Sequence, residues 1–278
     1  MKTFTKESLK NELREIGERG WIKSHRDTLQ KRNDGAAGNL LEQLLGIEEN
    51  NLPLPNAAEW ELKVQRSTTS SLMTLFHMEP SPRGMKFVPQ VLLPKYGWKH
   101  DEAGQTYMHT ERSFRMTMNA GQFTSRGFKV VIDPEILRIS FDASQVSSVH
   151  EEWLREVEKV AGLEDLNPAP YWGFEDLRRK IAAKLHNTFY VTAEVRKEDG
   201  QEWFRYSKVE MLRGFSLQGF LDCLKEGSAY VEFDARTGHN HGTKFRIAQS
   251  SLPRLYESHE LVFDLPPVDY VPSGNGEA

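Results

Sequence analysis

Near the start of the chain apolar residues recur at helical spacing. Leu9, Leu13 and Ile16 share one face of residues 5–18, with Thr5 as N-cap and Ser8 and Glu12 in the following turns. A turn at Gly20, the apolar pair Trp21-Ile22, a basic polar stretch over 23–32 and a glycine-bearing loop over 33–38 come next. Asn39 is expected to cap a second helix over 40–45 that Gly46 ends. Strands are predicted at 60–64 and, continuing after a polar turn over 67–71, at 72–77. Further strand candidates lie at 85–93, 114–118, 128–132 and 138–141, the middle two pairing across a turn near Gly121. A helix follows over 150–160, and the proline-rich stretch 166–172 reads as a hinge between lobes. Beyond it the pattern predicts a helix at 174–185, a strand at 188–195, a charged hairpin turn at 194–201 and a strand at 203–206. A helix at 217–225 and strands at 229–233 and 243–247 complete the series. The alternation predicts a mixed α/β fold, with lobes over 1–165 and 166–264 and a disordered tail over 265–278.

Composition narrows the class. The hydrophobic fraction of 38% and charged fraction of 27% suit a soluble globular protein, and 278 residues suffice for a substantial core. No apolar run approaches the roughly 18–20 residues that span a bilayer, and the charged start lacks a secretory apolar region. The single Cys223 can form neither an internal disulfide nor a cysteine-based zinc site, so a reducing cytoplasm is the expected compartment. A net charge of −4 counts mildly against a nucleic-acid binder, although a basic surface can sit on an acidic protein.

Candidate chemistry centres on Glu61-Leu62-Lys63. On a strand, residues two apart share a face, so Glu61 and Lys63 lie side by side while Trp60 and Leu62 turn away as anchors. A carboxylate can bind a hard cation such as Mg²⁺, and the ammonium can position or deprotonate a water attacking a phosphodiester. The tripeptide alone is weak, since it also describes an ordinary salt-bridged strand face. Asn56 lies in a turn five positions before Glu61, and Glu42 follows the glycine loop on the predicted helix 40–45.

These pieces recur in order. Gly20-Trp21-Ile22-Lys23, the run from Gly35 to Ile47, Asn50, Pro55-Asn56 and Glu61-Leu62-Lys63 resemble the MvaI/BcnI restriction endonucleases, and more distantly the mismatch-repair nuclease MutH. The resemblance continues through Leu75-Phe76, Pro80, the run Lys95 to Gly97, that from Phe114 to Thr117, the run Arg126 to Phe128 and that from Ala235 to Arg246, covering roughly 10–260. It implies a restriction-endonuclease-like PD-(D/E)xK core with a DNA cleft between two lobes. It also implies action as a monomer on a short pseudosymmetric double-stranded site, a five-base-pair target flanked by CC/GG, Mg²⁺-dependent cleavage, and a companion DNA methyltransferase of a restriction-modification pair. Glu61 and Lys63 occupy the family's Glu and Lys, and Glu42 matches the glutamate of the preceding helix. Asn56 stands where the family carries a metal-binding aspartate. An amide offers a neutral oxygen and no charge, which weakens cation binding. A tolerated variant, compensation by Glu59 or Glu42, and a DNA-binding protein that cuts poorly all fit that departure, as does a MutH-like strand nicker.

For DNA contacts, the run from Arg236 to Arg246 places Arg236, His239, His241, Lys244 and Arg246 around a glycine-flanked loop. Arginine can bind guanine through two hydrogen bonds, and histidine can reach base edges or phosphates. By resemblance this loop belongs to the recognition lobe. His77 is a further candidate from the catalytic lobe, and Arg115 and Arg126 are candidates for phosphates. Lys23, His25, Arg26, Lys31 and Arg32 also suit the DNA backbone. Trp153, Trp172 and Trp203 are expected in the core.

Overall fold

The computed structural model describes residues 4–24, 35–47, 59–67 and 71–268. Asn56, the basic positions from His25 to Arg32 and the tail beyond 268 lie outside them. Along the chain run α1 (Lys6–Glu18), β1 (Ile22–Lys23), α2 (Ala36–Leu45), β2 (Glu61–Arg66) and β3 (Leu72–His77). A short 3₁₀ turn at Arg83–Met85 and a π turn at Val88–Leu92 lead into α3 (Leu93–Tyr96). Then come β4 (Trp98–Lys99), β5 (Arg112–Met118), β6 (Arg126–Ile132), β7 (Ile136–Val146), α4 (Glu151–Ala161), β8 (Tyr171–Gly173) and α5 (Phe174–Lys184). The remainder is β9 (Asn187–Glu198), β10 (Gln201–Phe215), α6 (Leu217–Glu226), β11 (Ala229–Arg236), β12 (His239–Asn240), β13 (Lys244–Ala248) and β14 (Tyr256–Asp264). The mixed α/β class is as expected.

The chain divides into two compact units that interleave in sequence. Unit 1 comprises Met1–Ser71, Ala183–Gly214 and Glu257–Ala278, and unit 2 comprises Leu72–Ala182 and Phe215–Tyr256. A linear division at 165/166 is therefore corrected, and the 166–172 stretch is no hinge, since β8 pairs with β7 inside unit 2. The reason lies in strand direction. β2 and β9 pair in parallel, and parallel strands need a crossover connection, which here carries the first part of unit 2.

Unit 1 is built on a five-stranded sheet ordered β1-β10-β9-β2, with β14 also on β10. Its apolar face meets α1 and α2 through Leu9, Leu13, Ile16, Leu40, Leu41, Leu62, Phe189 and Phe204. Each such side chain, fully buried, stabilises by about 1.5–3 kcal/mol. Thr5 caps α1 as expected, and Ser8 completes a capping box with it. The second helix starts earlier than expected: Gly35 is its N-cap and Asn39 lies inside, because Ala36 and Ala37 extend the buried face. The β9–β10 turn is tighter than expected. Only Asp199 and Gly200, both at positive φ, separate paired strands.

Unit 2 holds a six-stranded sheet ordered β3-β13-β11-β5-β4, with β12 on β11, and a three-stranded sheet β6-β7-β8. Aromatic side chains fill its core: Phe128 packs on Tyr96, Phe114, Phe141 and Trp153, and Trp172 packs on Phe233 and Phe245. β5 and β6 belong to different sheets and do not form the expected hairpin. β2 and β3 likewise fall in different units rather than continuing one sheet. The expected strand at 85–93 is helical: Pro89 and Pro94 sit in first turns, where a missing N–H costs nothing, and a mostly apolar run broken only by Lys86 and Gln90 carries no strand alternation. Trp153 and Trp172 are buried as expected, whereas Trp203 is half-buried under the Arg196 guanidinium.

Candidate active site

β2 is an edge strand whose two faces divide the work. Leu62 points into the core and Trp60, just before the strand, packs on Phe189, with ring centroids 4.6 Å apart. Glu61 and Lys63 take the opposite face, and their register partners across β9 are Thr188 and Tyr190. Glu61 is 2% exposed, an unusual place for a carboxylate.

Its two oxygens are in different situations. Oε1 receives the Lys63 ammonium at 2.9 Å, with the Lys184 ammonium 3.7 Å away. Oε2 is buried and has no hydrogen-bond partner among the described residues. A buried acceptor without a donor carries a desolvation cost of about 1–3 kcal/mol. A hard cation, whose ligands are oxygens, is the kind of group that would satisfy it. The residues present therefore fit a divalent cation at Oε2.

The same sheet face continues across β9 and β10. Tyr190, beside Lys63, aligns with Glu210, and Glu210 accepts from Lys208 at 2.8 Å and pairs with His259 of β14 at 2.6 Å. Burial, reinforced by the Glu210 charge, pushes the Tyr190 hydroxyl well above its usual pKa, so it remains a donor, to Gln65. Lys184, Tyr190, Lys208, Glu210 and His259 were not singled out from sequence. Only the pairing of β2, β9, β10 and β14, distant in the chain, brings them beside Glu61 or one another.

The other expected members of the centre are placed unevenly. Glu42 is half-buried on α2, which packs on β2, but among the described residues no three His, Cys, Asp or Glu side chains gather as a metal cluster. Glu59 is exposed and accepts from the Trp60 indole at 3.2 Å. Asn56 lies outside the described residues.

Of the expected DNA contacts, Lys23 lies on β1 in unit 1, and the arginines, histidines and lysine from His77 to Arg246 fall in unit 2. Register aligns His77 of β3 with Lys244 of β13, Lys244 with Glu232 of β11, and Asp234 with Arg115 of β5, all on the face opposite the aromatic core. His77 thus joins the Arg236–Arg246 group and not the Glu61 unit, correcting its expected place in the catalytic lobe. This face is an ion-pair lattice: Lys244 meets Glu232 at 3.1 Å and Asp234 at 2.9 Å, Arg246 meets Glu232 at 2.7 Å, and Arg115 meets Asp234 at 2.8 Å. Arg115 is nonetheless 66% exposed at its side chain. Burial, the largest single influence, pulls the Asp234 pKa up, but the hydrogen bonds and charges of Lys244 and Arg115 together outweigh it, and the net shift is downward. Arg236 pairs with Glu111 at 3.0 Å and lies over the Tyr107 ring. His239 and His241 stack edge to face at 4.2 Å between centroids, and desolvation lowers the His241 pKa despite Asp234 nearby. Arg126 is separate from this group. Its guanidinium sits over Trp98 and Trp153, and desolvation lowers its pKa.

The family model described as "MvaI/BcnI restriction endonuclease family" matches residues 10–256. Among solved structures, the restriction endonuclease MvaI–cognate DNA substrate complex is similar at 22% identity, covering 94% of this chain and 100% of that one, with a TM-score of 0.71. MvaI in the absence of DNA aligns at 21% identity with the same coverage of 94% and 100% and a TM-score of 0.52. A search of curated proteins finds no match. Among the described residues no helix is long and apolar enough to cross a membrane.

Proposed function

The chain belongs to the MvaI/BcnI restriction endonuclease family, and from that premise we propose that it is a type II-like endonuclease hydrolysing double-stranded DNA at a specific sequence with Mg²⁺. The carrying observation is Glu61: a buried carboxylate with Lys63 on one oxygen and the other oxygen unpartnered among the described residues. Glu61, with Glu42 and the Asn56 side chain, would hold the cation, which would supply Lewis-acid charge to the phosphodiester when bound. Lys63 steadies or deprotonates the attacking water. In the hydrolysis the water oxygen bonds to phosphorus, the opposite bridging P–O bond breaks, and the leaving oxygen takes a proton. Asn56 lowers the charge available to the cation, so an impaired enzyme that retains DNA binding is the second reading.

Readout is assigned to the polar face of unit 2. Arg115, Lys244 and Arg246 already carry acidic partners, so DNA phosphates or bases compete with Glu232 and Asp234 for them. That competition disfavours non-specific binding, because each contact costs an existing ion pair. Action as a monomer beside a methyltransferase of the same specificity completes the reading. A titration of Mg²⁺ into protein and a plasmid containing every five-base-pair sequence tests it. Discrete fragments that require the metal support the enzyme, whereas salt-sensitive gel shifts without nicking favour the impaired reading.

A further inference from the structure

Two lysines converge on Glu61, and only one is needed to satisfy it. Lys63 forms the close pair at 2.9 Å, while Lys184 stands 3.7 Å from the same Oε1, beyond hydrogen-bond length. Lys184 closes α5, where a cation offsets the helix dipole, and that alone would account for a lysine at this position. It does not account for the direction of the side chain. A lysine serving only the helix end gains most by extending into water, yet this one is only 25% exposed and runs inward to a carboxylate that already has a partner.

The charge balance points the same way. Glu61, Lys63 and Lys184 together carry one net positive charge, and a divalent cation at Oε2 would leave the group far more positive. Such an excess in a buried place is stable only if an anion joins it. We propose that Lys184 is a second lysine of the active centre, which leaves Glu61 to bind a non-bridging oxygen of the scissile phosphodiester. This assignment rests on the reading of Glu61 given above. It names a residue far from the Glu61–Lys63 motif in sequence, brought to it by the β2–β9 pairing.

The test compares wild type, Glu61→Gln, Lys184→Met and Lys184→Arg on the plasmid carrying every five-base-pair sequence, under single-turnover conditions with Mg²⁺. Calcium binding to each DNA-free protein is measured by calorimetry, and thermal unfolding is recorded alongside. The expected result for Lys184→Met is a cleavage rate lower by about 100-fold, the scale seen when one charge-stabilising donor is lost. Its calcium affinity should be unchanged or tighter, because a repelling ammonium has been removed from beside the cation. Lys184→Arg should recover most of the rate. If Glu61→Gln abolishes cleavage while Lys184→Met cuts at nearly the wild-type rate, the Lys184 assignment alone is overturned. Calcium binding that weakens together with the rate in Lys184→Met also overturns it, since Lys184 would then merely support Glu61. Cleavage indifferent to Glu61→Gln overturns the centre itself, and Lys184 with it.

Discussion

At the scale of single residues the account turns on charge in buried places. Glu61→Gln keeps the shape of the side chain and removes its charge, so cleavage should fall by about a thousandfold or more while DNA binding in calcium persists. Asn56→Asp restores a charged ligand position and should lower the Mg²⁺ concentration needed for half-maximal cutting. A variant that cuts no better at limiting Mg²⁺ would mean that the site is adapted to an amide. In unit 2, Glu232→Gln frees Lys244 and Arg246 from a shared carboxylate. Non-specific DNA affinity should rise, with a steeper salt dependence, and filter binding across a salt series checks this. The Asp234 carboxyl has a folded pKa below its unfolded value, so its stabilisation is present above the ordinary carboxylate range and lost as pH falls through the lowered value. Asp234→Asn should therefore flatten the loss of stability in strong acid, read by thermal unfolding at stepped pH.

At the scale of elements, Gly17 in α1 carries a prediction opposite to helix propensity. An added Cβ would lie 2.7 Å from the Tyr206 carbonyl oxygen and 2.9 Å from the Leu265 side chain. Gly17→Ala gains about 1 kcal/mol of propensity, but α1 must be pushed off β10, and net thermal stability should fall. Elements with a clear period were legible in sequence: α1 by Leu9, Leu13 and Ile16, α4 by its amphipathic spacing, β2 by the alternation around Leu62. The failures have a common cause. Residues 85–93 are mostly apolar and Lys86 and Gln90 set no clear period, so only Pro89 and the following Pro94, at first-turn positions, argue for helix. β14, exposed along most of its length, offers little hydrophobic pattern and went unnoticed, although it places His259 on Glu210. The Glu61–Lys63 pair was legible because both residues sit on one strand. Lys184 was not, because it reaches Glu61 from a helix beyond the long crossover.

At the scale of the whole molecule, the interleaved units are the consequence of a parallel β2–β9 pair, and no local signal marks them. The residues proposed for cleavage lie in unit 1, those for readout in unit 2, on a chain of net charge −4. Binding must then depend on local basic faces, and Arg115→Ala or Lys244→Ala should each reduce the slope of log affinity against log salt by about one. The central claim is that Glu61 organises metal-dependent cutting at one DNA sequence. Sequencing the fragment ends from a digest of the five-base-pair plasmid, with wild type and Glu61→Gln in parallel and with EDTA as control, tests it most directly. The account predicts wild-type ends that map to a single short sequence, and intact plasmid with Glu61→Gln or EDTA. Ends scattered over unrelated sequences, intact plasmid with the wild-type protein, or the same ends from Glu61→Gln would contradict it.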